Sequence, residues 1–547
     1  MKKATALLTF LFISNLIFAQ IQESTEANFI NLNKPERLEW FRDLGFGMFI
    51  HFSYDSQLGV VISHSMAGAS DDYLNRFVNE LPKTFNPKDF DATKIATQAK
   101  LAGMKYIVFT TKHHSGFCMW DTETTDFNIM NTPYKKDLLA EYVEATRAAG
   151  LAVGFYYSPE DFNFLYENGL QVRRKFNKPI PESIMKKYLE LVEMQSMELM
   201  AKYGEIDIVF FDGGEGPLQE KCKEVVWELQ PNIVVTRGAI KTPEQTVPGI
   251  VSKEPWESCI TMGTQWAYKP TNEEYKNGAR LIELLIETRA KGGNLLLNVG
   301  PKSNGELPIE QEANLQEIAA WNFINGEAIE KVSPGILPNE NDIWFTWKPE
   351  KKTLDAILTN IPNWEKGTRK EFIIKSAQIT SNSKITVLGQ SGELLEYQPS
   401  VDASTYFEQK DDGIHISCMR AQRIYNNNKW HNPLVLKITS AEPALVPPVV
   451  ETKQAVKTQN KLILHGNLIS HGNTELVKAG FQFREYAGFA EELFSDEWQE
   501  TKTIELKENG VFEIQPNIKK EGKTYQFRTF VDHPKLRVYG DIKKVNY

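Results

Sequence analysis

Along the first half of the chain, apolar residues fall into short, nearly continuous runs separated by stretches with helical spacing. The runs are 44–52, 105–110, 152–158, 206–211, 233–237 and 292–300. A strand covered on both faces reads as a continuous apolar run, whereas a half-exposed strand alternates, so these segments predict buried parallel strands. Helical spacing occupies 35–43, 90–102, 138–149, 188–203, 221–229 and 281–290, and Gly103, Gly150 and Gly204 stop three of these helices. Regular alternation of the two element types predicts a parallel sheet with crossover helices. Polar and aromatic residues gather at many strand ends instead of at one Gly-rich phosphate loop. Over about 300 residues that favours a (β/α)8-like barrel over an open doubly wound sheet.

From about Pro338 the pattern changes to short β-rich runs, among them Ile343 to Trp347, Leu354 to Leu358, Ile385 to Leu388, Ile414 to Ser417 and Leu434 to Ile438. These predict an all-β sandwich. Ala441 to Val449 contains Pro443, Pro447 and Pro448 and reads as a stiff linker. The last segment carries Gly480-Phe481-Gln482-Phe483-Arg484 and Thr524-Tyr525-Gln526-Phe527-Arg528, runs that resemble fibronectin type III-like modules of secreted bacterial proteins. That resemblance implies a spacing or surface-attachment role. The predicted organisation is an α/β barrel over 30–335, a β-sandwich over 336–441, a linker over 442–454 and a second small β-sandwich module over 455–547.

Composition narrows the function classes. A length of 547 residues with 41% hydrophobic residues supplies several cores. The formal net charge of -9 comes from interspersed acids and bases, so no basic field attracts nucleic acid or an anionic membrane. Lys2 and Lys3 precede the apolar run 6–13, and Ile17-Phe18-Ala19-Gln20 follows. This predicts a signal peptide over 1–19 and a secreted or periplasmic location, because the run is too short for a membrane span. Cys118, Cys222, Cys259 and Cys418 lie far apart in a chain large enough to fold without staples, which predicts free, buried thiols.

Several predicted strand ends bring chemistry to one face: His51, the pair His113-His114, Tyr156-Tyr157 and Asp212, the last followed by Gly213 and Gly214. Asp212 reads either as a turn cap or as a catalytic carboxylate at the carboxyl end of a barrel strand. Trp120, Trp256, Trp266 and Tyr268 suit either a core or stacking on a sugar face. Adjacent histidines in extended chain point to opposite sides, and no local carboxylate completes a ligand set, so neither a metal nor another cofactor is expected.

The chain resembles the α-L-fucosidases of glycoside hydrolase family 29. The resemblance rests on Trp40 to His51, Tyr106 to Phe117 with its Lys-His-His-x-Gly-Phe run, Gly154 to Ser158, Phe210 to Gly213, Trp256 to Cys259 and Gly293 to Pro301, in the family's order. It implies a barrel followed by a β-sandwich, and hydrolysis of terminal α-L-fucosides of oligosaccharides or glycoconjugates with retention of configuration. It further implies Asp212 as nucleophile, His51, His113, His114 and Tyr157 as hydrogen-bond partners of the sugar, and Trp266 beside its C5 methyl.

A retaining glycosidase needs a second carboxyl about 5–5.5 Å from the nucleophile to protonate the leaving oxygen. Glu244, Glu254 and Glu257 are the candidates, and the resemblance favours Glu257, because Trp-Glu-Ser-Cys, nine residues before Trp266, is similar to the family's Trp-Glu run ahead of a Trp-x-Tyr. The chain departs from many family members in having Phe210 where they have Trp, and in having His64 to Tyr73 where they have a Glu-Trp pair. Both departures bear on sugar preference, L-fucose against L-galactose, more than on reaction type.

Overall fold

The computed structural model describes residues 31–547 except 174–178, 214–215, 253, 362–363, 365–366, 392–399, 421–431, 459–460, 487–497 and 519–521. The predicted signal peptide lies outside the described residues. Among those described, no helix is long and apolar enough to cross a membrane.

The first half is an α/β unit built on seven strands: β1 (Phe46–Ile50), β2 (Tyr106–Lys112), β3 (Ala152–Tyr157), β4 (Ile208–Phe211), β5 (Val234–Val235), β6 (Glu257–Thr261) and β7 (Asn294–Val299). They form one sheet in the order β5-β4-β3-β2-β1-β7-β6, and every pairing is parallel. Apart from Ala152, every residue in them is buried, which is why they read as continuous apolar runs.

Side chains alternate between the two faces of this sheet. One set, including Phe49, Tyr106, Val108, Tyr156, Ile208, Phe210, Val234, Cys259 and Leu296, meets in a single apolar cluster. Because Val234 and Cys259 come from the two edge strands, the sheet is curled so that its edges approach each other. The segment after β5 closes part of the gap: Glu257 N–H donates to Lys241 O, Cys259 N–H to Pro243 O and Gln245 N–H to Cys259 O, at 3.1, 3.1 and 2.9 Å. The opposite set packs outward under the helices, which include Ala92–Leu101, Leu138–Ala148, Glu182–Lys202, Pro217–Leu229, Gly278–Ala290 and Ile309–Asn325.

Two features of this unit differ from the sequence expectation. Glu257, outside the predicted strand runs, opens strand β6, and its run Glu-Ser-Cys-Ile-Thr hid it because polar residues sit where the strand faces the interior floor and the mouth. The helix Asp71–Asn79 lies outside the segments of helical spacing identified in the sequence, with Ser70 capping it by accepting from Tyr73 N–H.

Beyond residue 332 the chain is antiparallel. A five-stranded sheet (377–387, 434–443, 353–358, 343–348, 333–340 in spatial order) and a three-stranded sheet (369–374, 413–419, 406–410) share one core. The predicted linker is not free-standing. Val449–Thr452 is a strand paired with Lys461–Ser470, so the last β unit begins inside it. That unit does not hang off the surface either. Asp541 Oδ1 accepts from Gly249 N–H at 2.6 Å, and a Cβ at Gly249 would lie 2.6 Å from Gly540 O. All four cysteines are free and buried.

Candidate active site

The carboxyl ends of the strands surround a cavity of about 810 Å³, lined by His51, His113, His114, Tyr156, Phe210, Asp212, Arg237, Glu244, Cys259 and Trp266, among others. This volume is in the usual range for small-ligand sites.

Asp212 reaches the cavity because strand alternation places Ile208, Phe210 and Asp212 inward and Phe211 outward. Its amide donates to Tyr157 O at 3.1 Å. Oδ1 accepts from Arg237 Nη1 at 2.9 Å and Oδ2 from the Tyr156 hydroxyl at 2.8 Å, while His114 Nε2 stands 3.7 Å from Oδ2. Burial opposes ionisation, but the charge of Arg237, then the electrostatic influence of the His114 and His113 rings, and the Tyr156 hydrogen bond outweigh it and hold the carboxyl well below the usual range. Asp212 is therefore a carboxylate at neutral pH. Gly213 follows with φ +74°, and a Cβ there would meet Glu160 and His114 at 2.8 and 3.0 Å, so only glycine fits this turn.

The histidines have defined hydrogen-bonding roles. Asn298 Nδ2 donates to Trp266 O at 2.7 Å, so its Oδ1 accepts from His51 Nδ1–H at 2.6 Å and leaves His51 Nε2 an acceptor. Burial, partly offset by Asn298, lowers the His51 pKa to about 4, which keeps the ring neutral. His113 Nδ1 accepts from His114 N–H at 2.8 Å, so its proton sits on Nε2, a donor. His113 also stacks on Tyr156 at 5.0 Å. One ring that accepts and one that donates, beside a carboxylate, suit the vicinal hydroxyls of a sugar. Trp266, 4.9 Å from His51 and 6.1 Å from Phe49 between ring centres, gives the cavity an apolar wall.

His51, His113, His114, Asp212 and Trp266 thus converge as expected, but Tyr157 and Glu257 do not. Tyr157 is one residue out of phase and faces the outer layer, where its hydroxyl donates to Gln195 Oε1 at 2.7 Å and Lys112 Nζ lies 4.7 Å from its ring centre. Tyr156 takes the inward position. In-register pairing of Tyr156 with Phe210 and of Tyr157 with Phe211 fixes that phase.

Glu257 opens β6 at the opposite end of the sheet, level with Asn294. Cys259 and Thr261 rise above it towards the cavity at about 6.6 Å per step of two residues. Its Oε2 accepts from the Tyr106 hydroxyl at 2.5 Å, and it does not line the cavity. Burial, countered in part by Tyr106, raises its pKa to about 7. Glu254 is exposed and likewise lies off the cavity.

A structural role for Glu257 has a measurable signature. A carboxyl whose folded pKa exceeds its unfolded value favours the native state in acid, and this contribution is lost as pH rises through the folded pKa. Between its ordinary value of 4.5 and about 7 the loss for Glu257 is on the order of 3 kcal/mol. Glu257→Gln should therefore flatten the fall in Tm between about pH 4.5 and 7. Part of the slope should remain, since buried Asp55 is also raised to about 7. Activity on good and poor leaving groups should change equally, and a loss confined to poor leaving groups would contradict this.

One cavity residue, Arg237, escaped the sequence reading, and another, Glu244, was a candidate acid ranked behind Glu257. Arg237 ends the run 233–237, and Glu244 follows on the segment alongside β6. Arg237 binds Asp212 through Nη1, and both Nη1 and Nη2 donate to Glu244 Oε2 at 3.3 Å. Thr242 fixes the guanidinium through Oγ1 and the carbonyl, at 3.2 and 3.3 Å, and Phe210 lies 4.6 Å beneath it. Since one nitrogen contacts Asp212 Oδ1 at 2.9 Å and Glu244 Oε2 at 3.3 Å, those two oxygens are no more than about 6 Å apart.

His113, His114 and Asp212 also offer three ligand atoms within 4.8 Å of one another, so Asp212 is the nearby carboxylate that sequence spacing did not reveal. Arg237 already neutralises it, and His113 Nδ1 is committed to the His114 amide, so the donor set fits a sugar better than a cation.

A family model described as Alpha-L-fucosidase matches residues 13–327, more than half of the chain. The chain belongs to the alpha-L-fucosidase family. It is 28% identical over 416 residues to a putative alpha-L-fucosidase of Caenorhabditis elegans, covering 69% of this chain and 81% of that one. It is 28% identical over 369 residues to the plasma alpha-L-fucosidase of Homo sapiens, covering 59% and 76%. Among solved structures, alpha-L-fucosidase isoenzyme 1 from Paenibacillus thiaminolyticus superposes with a TM-score of 0.58 at 28% identity, covering 74% of this chain and 99% of that one. The Thermotoga maritima alpha-fucosidase in complex with fucose does so with a TM-score of 0.56 at 25% identity, covering 73% and 96%. The family match ends before the first antiparallel strand.

Proposed function

We propose that this alpha-L-fucosidase is an exo-acting, retaining enzyme in which Asp212 is the nucleophile and Glu244 the general acid and base. The observation that carries the reading is the pair of carboxylates on one guanidinium, no more than about 6 Å apart, compatible with the roughly 5–5.5 Å that retaining glycosidases use. Inverting enzymes keep about 6.5–9.5 Å between their carboxyls to admit a water.

The terminal α-L-fucoside of an oligosaccharide or glycoconjugate enters with its anomeric carbon over Asp212. His51 Nε2 accepts from and His113 Nε2 donates to ring hydroxyls, and the Trp266 wall receives the C5 methyl. Asp212 attacks the anomeric carbon as Glu244 gives its proton to the departing oxygen, leaving a glycosyl ester and an alcohol. Glu244 then takes a proton from water, which attacks the ester and releases L-fucose and the Asp212 carboxylate. Arg237 holds both carboxylates in register, and its charge keeps Asp212 ionised as the attacking group. No cofactor enters these steps.

The curled sheet with its bridged edges is read as a (β/α)8-like barrel over 30–335, followed by two small β-sandwiches. Export is inferred from the leader-like residues 1–19. An NMR time course on an aryl α-L-fucoside tests the stereochemistry. α-L-Fucose should appear first and mutarotate afterwards, whereas β-L-fucose as the first product would refute the assignment.

A further inference from the structure

Gln245, the residue after Glu244, adopts φ +54°, a left-handed conformation that side chains other than glycine, Asn and Asp rarely take. Its side chain explains how the conformation is held. Gln245 Oε1 accepts from Thr261 N–H at 3.3 Å and lies 3.2 Å from Thr261 Oγ1, across the gap to the mouth end of β6. The backbone on either side of Glu244 is tied to the same strand through Pro243 O and Gln245 N–H, both bonded to Cys259. The chain then turns back, so that Thr246 O accepts from Ser258 Oγ. Three residues further on, Gly249 N–H donates to Asp541 of the last β unit at 2.6 Å, where backbone leaves no room for a side chain at 249. Among the segments that line the cavity, the one bearing Glu244 is therefore anchored at two ends, by β6 and by the C-terminal unit.

We infer that Gln245 is a positioning residue that aims the Glu244 carboxyl at the leaving oxygen, and that Asp541 on the C-terminal unit braces the same segment from outside. The unit then serves the acid/base step instead of acting only as a spacer. This rests on the assignment of Glu244 above. A left-handed turn after Glu244 sets the direction in which its side chain leaves the strand edge. If Gln245 lets go of Thr261, the turn relaxes and Glu244 remains on Arg237 only part of the time. Loss of aim matters in proportion to the need for a proton on the leaving group, whereas a general loss of structure affects every substrate alike.

The experiment measures kcat/KM, which reports formation of the glycosyl ester, on a dinitrophenyl α-L-fucoside and on a fucosyl disaccharide. The variants are Gln245→Gly, which accepts the backbone angle but lacks the tether, Gln245→Ala, Asp541→Ala and Glu244→Gln, each with its Tm. The Gln245 variants should lose at least about tenfold on the disaccharide and less than about threefold on the aryl fucoside. Asp541→Ala should show the same bias to a smaller degree, although it lies on another unit. Equal losses on the two substrates for the Gln245 and Asp541 variants, with Glu244→Gln still selective, would overturn the positioning role alone. Equal losses for Glu244→Gln would overturn it together with the acid assignment.

Discussion

Replacing Asp212 with glycine should lower turnover of an aryl α-L-fucoside by about 10⁴-fold or more, equivalent to roughly 5–6 kcal/mol of transition-state stabilisation. The variant should still fold, because its backbone bond to Tyr157 O needs no side chain and Arg237 keeps Glu244 and Thr242 as partners. Added azide can occupy the vacated space below the anomeric carbon. Attack from that side on an α-fucosyl fluoride or aryl fucoside inverts the centre, so β-fucosyl azide should accumulate. A variant that keeps a tenth of wild-type turnover, or that yields α-fucosyl azide, would remove Asp212 from the role of nucleophile.

Glu244→Ala should behave in the complementary way. Without a proton donor, kcat/KM on a fucosyl disaccharide should fall by about 10³-fold, within the range general acid catalysis contributes. On a dinitrophenyl fucoside, whose leaving group needs no proton, kcat/KM should fall less than about tenfold. Hydrolysis of the ester also loses its general base, so kcat should drop on both substrates and azide should restore it. Azide then attacks the ester from the face opposite Asp212, and the product should be α-fucosyl azide. The two variants give opposite anomers of one product, which assigns the carboxylates to opposite faces of the sugar independently of any rate. Glu257→Ala showing the leaving-group bias in place of Glu244→Ala would reverse the assignment.

The residues that converged as read are those whose position follows from strand ends alone. His51, His113, His114 and Asp212 terminate β1, β2 and β4, and a parallel strand brings its carboxyl end to the same face as its neighbours. Phase within a strand was harder. Tyr156 and Tyr157 are chemically alike and adjacent, and only the pairing with Phe210 and Phe211 shows which of them turns inward. Glu257 failed for a related reason. A buried carboxylic acid in an aromatic-flanked motif looks catalytic in one dimension, yet β6 carries it into the floor of the sheet beside Tyr106. Glu244 was undervalued because Thr-Pro-Glu reads as a surface turn. What makes it a cavity residue is non-local: the bridges from Pro243 and Gln245 to Cys259, and a guanidinium it shares with Asp212. Arg237 was visible as the last residue of a predicted strand, and an arginine at that end of the sheet, where carboxylates gather, is the signal that could have found it.

The docking of the last β unit was equally illegible. Its Gly-Phe-x-x-Arg and Thr-Tyr-x-x-Arg runs describe a self-contained β fold, and nothing in them announces that Asp541 meets Gly249. Contacts of this kind depend on shape at a surface, which no periodicity records.

The direct test of the account is covalent capture of the glycosyl enzyme. A 2-deoxy-2-fluoro-fucosyl fluoride slows both steps by destabilising the oxocarbenium-like transition state, while the fluoride leaving group preserves formation of the ester. Incubated with the Glu244→Gln variant to slow turnover further, it should add one fluorofucosyl mass to the intact protein, and peptide mapping should place that mass on Asp212. A label on any other residue, or no label on a variant that still turns over the reagent, would contradict the central claim.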